Sequence, residues 1–428
     1  MLLQLLSVLV LASASDLARD LAEAIDLPSA KERAERAAKL ADRPEISLED
    51  WLGAMRAFGE FGRPSGDRGF VHQPLRVLDA VEPTNLHVFV PESYQPEQPA
   101  PLILALHETQ DGGEQMVQQW IDEARALGAL ILAPTEPIAR DGCTFTPRER
   151  ENVLAALRWM RRKFHVDENR VVLTGVGRGA QLAWDLALRR PDRFAALAPM
   201  LGGPRVALAS PQDNLRLLEN VAALPIRDLQ GAQDDAALVD TLHLAFARLE
   251  KFGARDAKLI EFPERAASFD FAAVDWRGWI GSARREAVPE RVVCCAASAG
   301  EARNAWVEIT GVEKEIVEDV TRLLPGLNWK SLDASAQRAR TLRELEKHTA
   351  RLELVRTEPG RFGAKSSGVT SFRLLLTREM LGPNGLVEVR WKARTFARTA
   401  IADERVLLAE FVERFDPSFL PVAELCFP

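Results

Sequence analysis

The stretch Leu173–Asp185 reads "LTGVGRGAQLAWD", and it decides the fold. It begins inside a short apolar run, Arg170–Gly175 ("RVVLTG"), that has the character of a buried strand. Glycines at 175, 177 and 179 then make a tight turn, and Gln181–Arg190 follows with helical periodicity. A strand, a glycine turn and a helix form the joint of a βαβ unit. Gly177 stands at the centre of that turn and has no side chain. A phosphate-cradling loop is a poor fit, because the glycines lack the G-x-G-x-x-G spacing and no Lys-Ser or Lys-Thr pair follows.

Working outward, the same alternation runs from about residue 78 to 283. The runs "LHVFVP" (Leu86–Pro91), "PLILALH" (Pro101–His107) and "ALILAP" (Ala129–Pro134) precede the turn. "FAALAPM" (Phe194–Met200), "PIRDLQG" (Pro225–Gly231) and "AKLIEFP" (Ala257–Pro263) follow it. Amphipathic helices are expected at Glu149–Phe164, Gln181–Arg190 and Asp235–Phe252. Near-continuous apolar strands between helices imply a doubly wound, mostly parallel sheet covered on both faces.

The flanks differ. Residues 1–14 have a short apolar core ending in Ala12-Ser13-Ala14, the shape of a signal peptide, so export to the periplasm or beyond is expected. Residues 15–65 read as short helices, with capping-box patterns at Ser29-x-x-Glu32 and Ser47-x-x-Asp50. The segment closes in the linker-like "FGRPSGDRG". Residues 66–283 form the α/β domain. From 284 to 428 short, partly alternating runs imply a smaller β-rich, sandwich-like domain, with "GPNG" (Gly382–Gly385) expected to turn a hairpin and one charged helix at Leu332–Thr349.

The middle block resembles α/β-hydrolases of the secreted esterase, polyhydroxybutyrate-depolymerase and prolyl-oligopeptidase-like kind. "VFVPESYQPEQPAPLILALHE" is similar to that family's entry into the oxyanion loop. "VVLTGVGRGAQLAWD" resembles its nucleophile elbow, and "LPIRDLQGAQDD" its acid-bearing turn. The resemblance implies a Ser-His-Asp site, and this chain departs from it in three places. The nucleophile position is Gly177. The loop expected to carry the histidine reads "ERAASFDFAAVDW", with Ala267 or Ser268 at that place and no histidine between His243 and His348. His107 is followed by Glu108 rather than glycine, which puts negative charge where an oxyanion would develop. Asp234 matches the triad acid and is expected to be vestigial, with Asp235 capping the next helix. Arg178, beside Gly177, is expected to face the cleft and to favour an anionic ligand; His107 and Glu108 are the other expected ligand contacts.

These readings imply an exported protein whose cleft binds a small-molecule or polymer ligand, or a protein partner, without catalysis. The alternative is an active ester or peptide hydrolase using a non-standard nucleophile and base. A net charge of −7 argues against nucleic acid. No run reaches the roughly 18 apolar residues a membrane span needs. No cofactor is implied. No metal spacing occurs: His107-Glu108-x-x-Asp111 ends in Asp and starts at a strand end, unlike a zincin helix. Of four cysteines, the adjacent Cys294 and Cys295 point to opposite faces of a strand, and Cys143 reads as an inert thiol. Buried thiols are expected, with a pairing of Cys294 or Cys295 to Cys426 left open for an exported chain.

Overall fold

The apolar runs of the middle block become strands of one eight-stranded sheet. The computed structural model describes residues 16–59, 61, 69–75, 84–135, 143–206, 213–299, 303–320 and 331–428; the signal-peptide reading lies outside them. The strands are β1 (Gly69–Leu75), β2 (Thr84–Val90), β3 (Ala100–Leu106), β4 (Leu130–Thr135), β5 (Val166–Val176), β6 (Ala196–Met200), β7 (Ile226–Gly231) and β8 (Ala257–Phe262). Their order across the sheet is β1-β2-β4-β3-β5-β6-β7-β8. β1 and β2 run antiparallel to their neighbours, and every pair from β4 through β8 is parallel. This is the α/β-hydrolase arrangement. β1 has no counterpart among the expected strands: "GFVHQPL" is an edge strand, where exposed side chains and Pro74 are tolerated.

The helices of this block are α4 (Gly113–Leu127), α5 (Pro147–Lys163), α6 (Arg178–Arg189), α7 (Ala236–Lys251) and α8 (Trp276–Ser282); α1–α3 precede them at 16–25, Ala30–Ala41 and Leu48–Arg56. After β3 the chain crosses through α4 to β4 on one side; after β4 it crosses back through α5 to β5 on the other. The carboxyl ends of β3 and β5 therefore flank a topological switch point, where neighbouring loops diverge and leave a crevice. That places His107-Glu108 opposite Gly177.

Burial explains the strand composition. All seven residues of β3 are buried, and each Leu or Ile side chain removed from water there contributes about 1.5–3 kcal/mol. Ten of the twelve residues of α6 are buried as well. Trp184 of α6 lies in that core; Trp276 and Trp279 of α8 pack with Trp120 in the core on the opposite face of the sheet, rather than in a cleft.

The C-terminal block is a sandwich. One sheet has the order β10-β11-β14-β17 and the other β16-β15-β13-β12-β9. The members are β9 (Arg291–Ala296), β10 (Arg303–Asn304), β11 (Val307–Val312), β12 (Ala350–Glu358), β13 (Arg361–Ser367), β14 (Val369–Leu376), β15 (Leu386–Trp391), β16 (Arg394–Thr399) and β17 (Ala423–Phe427). Leu352 and Leu354 from one sheet meet Phe372 and Leu374 from the other in one core. Helices α9 (Ala334–Lys347) and α10 (Glu404–Arg414) complete the block. The "GPNG" segment is not a hairpin: it carries the chain from β14 in one sheet to β15 in the other. The hairpin between β15 and β16 turns instead on Lys392 and Ala393, both with positive φ (47° and 59°).

The hydrolase block meets the sandwich along β9, and the N-terminal helices pack on α10. On β9, Val292 and Cys294 enter the sandwich core while Val293 and Cys295 enter the hydrolase core. The Asn220 side chain, from the hydrolase block, pairs with this strand edge: its Nδ2 donates to the Cys295 carbonyl (3.1 Å), and the Cys295 N–H donates to its Oδ1 (2.6 Å). At the other end of the chain, Trp51 and Met55 of α3 share a core with Leu408 and Phe411 of α10. Both expected capping boxes form, at Ser29/Glu32 and Ser47/Asp50. All four cysteines are free, so the pairing with Cys426 does not occur; Cys426 is exposed and the others are buried.

Candidate functional site

The elbow is built by close approach. A Cβ on Gly175 would lie 2.4 Å from the backbone of Gly179, and one on Gly179 would lie 2.1 Å from the Leu106 carbonyl. Only glycine lets β5, α6 and the end of β3 come this near. Between them Gly177 adopts φ 52°, ψ −113°, a strained turn that costs a residue with a side chain on the order of 1–3 kcal/mol.

The space a side chain at 177 would fill is occupied by Glu108. A Cβ built on Gly177 would fall 1.1 Å from Glu108 Oε2 and 2.3 Å from its Cδ. The Arg178 N–H donates to Oε2 (3.0 Å), and the Thr109 N–H donates to Oε1 (2.7 Å). One donor comes from the residue after the elbow and one from the loop after β3, the two backbone groups that an oxyanion hole of this fold uses. Glu108 thus places its own carboxylate in that hole. The arrangement is stable because the anion sits at the N-terminus of α6, and Gly177 supplies no side-chain cap there.

His107 tethers this loop. Its Nδ1 lies 2.6 Å from the Glu108 carbonyl, and because a carbonyl only accepts, Nδ1 carries the proton. Burial lowers the His107 pKa below its ordinary value, so the ring is neutral at pH 7. The Asp111 N–H donates to the same carbonyl (3.1 Å), closing the turn.

Arg178 borders the cleft, but its guanidinium is buried and donates to Glu149 Oε1 at 2.9 Å. Glu149 is the N3 residue of α5, in a capping box with Thr146. Burial alone would raise its pKa; hydrogen bonds from Thr146 and Thr144 outweigh that and hold it below the ordinary value. The sequence pattern starts this helix at Glu149, without its Thr146 cap, and nothing local marks the Glu149 carboxylate as the partner of Arg178.

Asp234 and Asp235 have different partners. Asp234 lines the cleft and accepts from Gln230 Nε2 (2.9 Å) and from the Asp235 N–H (2.7 Å), with no histidine beside it among the described lining residues. Asp235 caps α7 through the N–H groups of Ala237 and Leu238. Of the two candidates for the missing histidine's place, Ala267 borders the cleft; Ser268 is exposed and is not among the residues lining it. Asp270 and Asp275, in the same loop, cap the short helices that follow.

The cleft has a volume of about 980 Å³. Sequence reasoning did not find Arg205, Thr241 and Arg338, which border it. Among its described lining residues there is no serine, cysteine or histidine. Cys143 lies close by, its N–H donating to Gln181 Oε1, but its thiol is buried and pushed up to about 12. Chemically the site is a concave surface with two backbone donors already satisfied by an internal anion.

No family profile and no curated protein matches the sequence. Solved structures that it resembles include a thermostable esterase, at 19% identity over 50% of this chain and 63% of that chain, with a TM-score of 0.41. The chain therefore spans less than two thirds of that esterase. Others are an S-formylglutathione hydrolase from Staphylococcus aureus (16% identity, 50% and 95% coverage, TM-score 0.39) and a propionate-bound esterase from Thermogutta terrifontis (14%, 50% and 91%, 0.41). The fold assignment rests on strand order, crossovers and the elbow itself. No helix among the described residues is long and apolar enough to cross a membrane.

Proposed function

We propose that this chain is an exported, non-catalytic binding protein on an α/β-hydrolase frame, its cleft taking a small-molecule or polymer ligand or a protein partner. The observation that carries the reading is the Glu108 carboxylate, which stands in the nucleophile's place and uses both oxyanion-hole donors. Acyl transfer on this fold needs a nucleophile, a base and free donors for the oxyanion. A site lacking the nucleophile alone retains some rate through assisted water attack. With Ala267 where the base belongs and the donors filled, that route closes too, and Asp234 is left with nothing to orient. Export is supported by the leader shape of residues 1–14.

The test is covalent labelling of the purified protein with a fluorophosphonate, alongside turnover of a short-chain nitrophenyl ester. No adduct and no turnover above buffer are expected. An adduct on any serine, threonine or cysteine would overturn the reading and establish a hydrolase with a non-standard nucleophile. A thermal-shift panel of feruloyl, hydroxybutyryl and oligosaccharide compounds then separates ligand binding, seen as stabilisation, from a purely structural role, seen as no shift with any of them.

A further inference from the structure

A second cavity, of about 330 Å³, lies where the hydrolase block meets the sandwich and α10, and it shares no residue with the cleft. Its lining holds seven arginines against four glutamates and no lysine. Several of these arginines have close carboxylate partners, some of them outside the lining: Arg161 meets Glu168 (2.5 Å). Arg303 forks onto Glu410 (2.9 and 2.7 Å), Arg373 meets Glu308 (2.5 Å), and Arg414 meets Asp192 (2.5 Å).

Arg193 has no such pair. Among the described residues its guanidinium meets no carboxylate: it donates at 3.4 Å to the Arg414 carbonyl, and its Nε is shut off from solvent without an acceptor. Arg158, on the same wall, has only long contacts, 3.4 Å to Glu413 and 3.9 Å to Glu151. Burial pushes the Arg193 pKa well below its ordinary value and lowers that of Arg158 as well, with neighbouring arginines adding to both; Asp192 near Arg193, and Glu413 and Glu151 near Arg158, oppose the shift without offsetting it. A group of seven guanidinium forks converging on one cavity is the chemistry that recognises a planar or tetrahedral oxyanion through paired N–H donors.

We propose that this cavity binds one tetrahedral oxyanion, a phosphate or sulfate group, between the two blocks, with Arg193 as its principal cation. The cavity exceeds what a bare ion fills, so the group can belong to a small ester. Because α5, the turn after α6, the sandwich and α10 all contribute to the lining, a bound anion ties the blocks together.

The experiment is calorimetric titration of the full chain with inorganic phosphate, with sulfate and with glucose 6-phosphate, against chloride at matched ionic strength. Saturable one-site binding is expected for the oxyanions and none for chloride; tighter binding of the sugar phosphate identifies an ester, equal binding a free ion. Arg193→Gln should weaken binding about tenfold or more. Glu151→Gln removes a half-exposed carboxylate from the wall and should tighten it severalfold. No saturable binding by any of the three overturns the proposal, as does binding unchanged in both variants. If Arg193→Gln fails to fold, Glu151→Gln decides: tightening supports the site, and no change overturns it.

Discussion

At the scale of single residues, Gly177 and Glu108 form one unit. A serine at 177 would bring its Cβ to 1.1 Å from the Glu108 carboxylate, so the side chain cannot return while Glu108 keeps its place. Gly177→Ser alone is therefore expected to destabilise the protein, through both the clash and the backbone strain, and to show no fluorophosphonate labelling. Glu108→Ala alone loses charge-assisted bonds at the start of α6, about 1–2 kcal/mol. The double variant should be less unstable than the sum, with a coupling energy on the order of 1–3 kcal/mol read from a urea-denaturation cycle. Additive single effects would mean the two side chains do not share this space. Glu108→Ala should also become stabilised by simple carboxylates such as butyrate, which the parent chain should ignore because its donors are filled. The places of Gly177, Glu108 and Asp234 came from the resemblance of their stretches to the elbow, oxyanion loop and acid-bearing turn of α/β-hydrolases. The contact between the first two was not legible, since it depends on how closely β3 and β5 approach across the switch point, and no local pattern encodes that.

At the scale of elements, what was legible follows burial. β3, β4, β6 and the second half of β5 are near-continuous apolar runs because helices cover both faces, and that texture separates them from helices and loops. β1 was missed because an edge strand with polar, exposed positions lacks the texture. The "GPNG" reading failed for a different reason: turn residues report a change of direction but not which sheet the next strand joins. The β15–β16 hairpin was unreadable, since Lys392 and Ala393 are not residues that favour positive φ. Caps at Ser29, Ser47 and Asp235 were the most legible feature; the Thr146 cap of α5, which was not read, has a consequence for the site. Thr146→Ala removes the hydroxyl that bonds both the Glu149 N–H (3.3 Å) and its carboxylate (3.0 Å). A loss of about 1 kcal/mol in stability is expected from the cap alone. Glu149 should stay tied to Thr144 and Arg178, so Glu149→Gln, which weakens the Arg178 partner itself, should cost more in a denaturant titration. A Thr146→Ala loss equal to or larger than that of Glu149→Gln would show the cap, rather than the ion pair, to hold α5 against α6.

At the scale of the whole molecule, stability against pH is set by buried ion pairs where the blocks meet. Burial would raise the pKa of Asp192, but Arg414 and Arg193 outweigh it and hold it down at about 2; Asp416, facing Arg285, is likewise held below its ordinary value. Both contribute stability above about pH 4 that is lost as the pH falls further. Glu168, on β5 against Arg161 of α5, behaves in the opposite sense. Burial outweighs the arginine and raises its pKa to about 7. Between its ordinary value near 4.5 and about 7 the folded chain keeps a proton that the unfolded chain has released. Its contribution is thus complete at low pH and declines as the pH rises to about 7. His87 and His107, lowered by burial, titrate against this trend below about pH 6.5, so the parent's own profile blends opposing effects. Glu168→Gln isolates the one group. Relative to the parent, the variant should gain stability steadily from pH 4.5 to 7, with a limiting slope of about 1.4 kcal/mol per pH unit, and hold that gain above pH 7. Urea titrations of both proteins at half-unit intervals, in buffers without phosphate or sulfate, measure the difference. A difference independent of pH would mean that Arg161 keeps Glu168 ionised throughout, and that this junction is held by a charged pair rather than by a protonated acid.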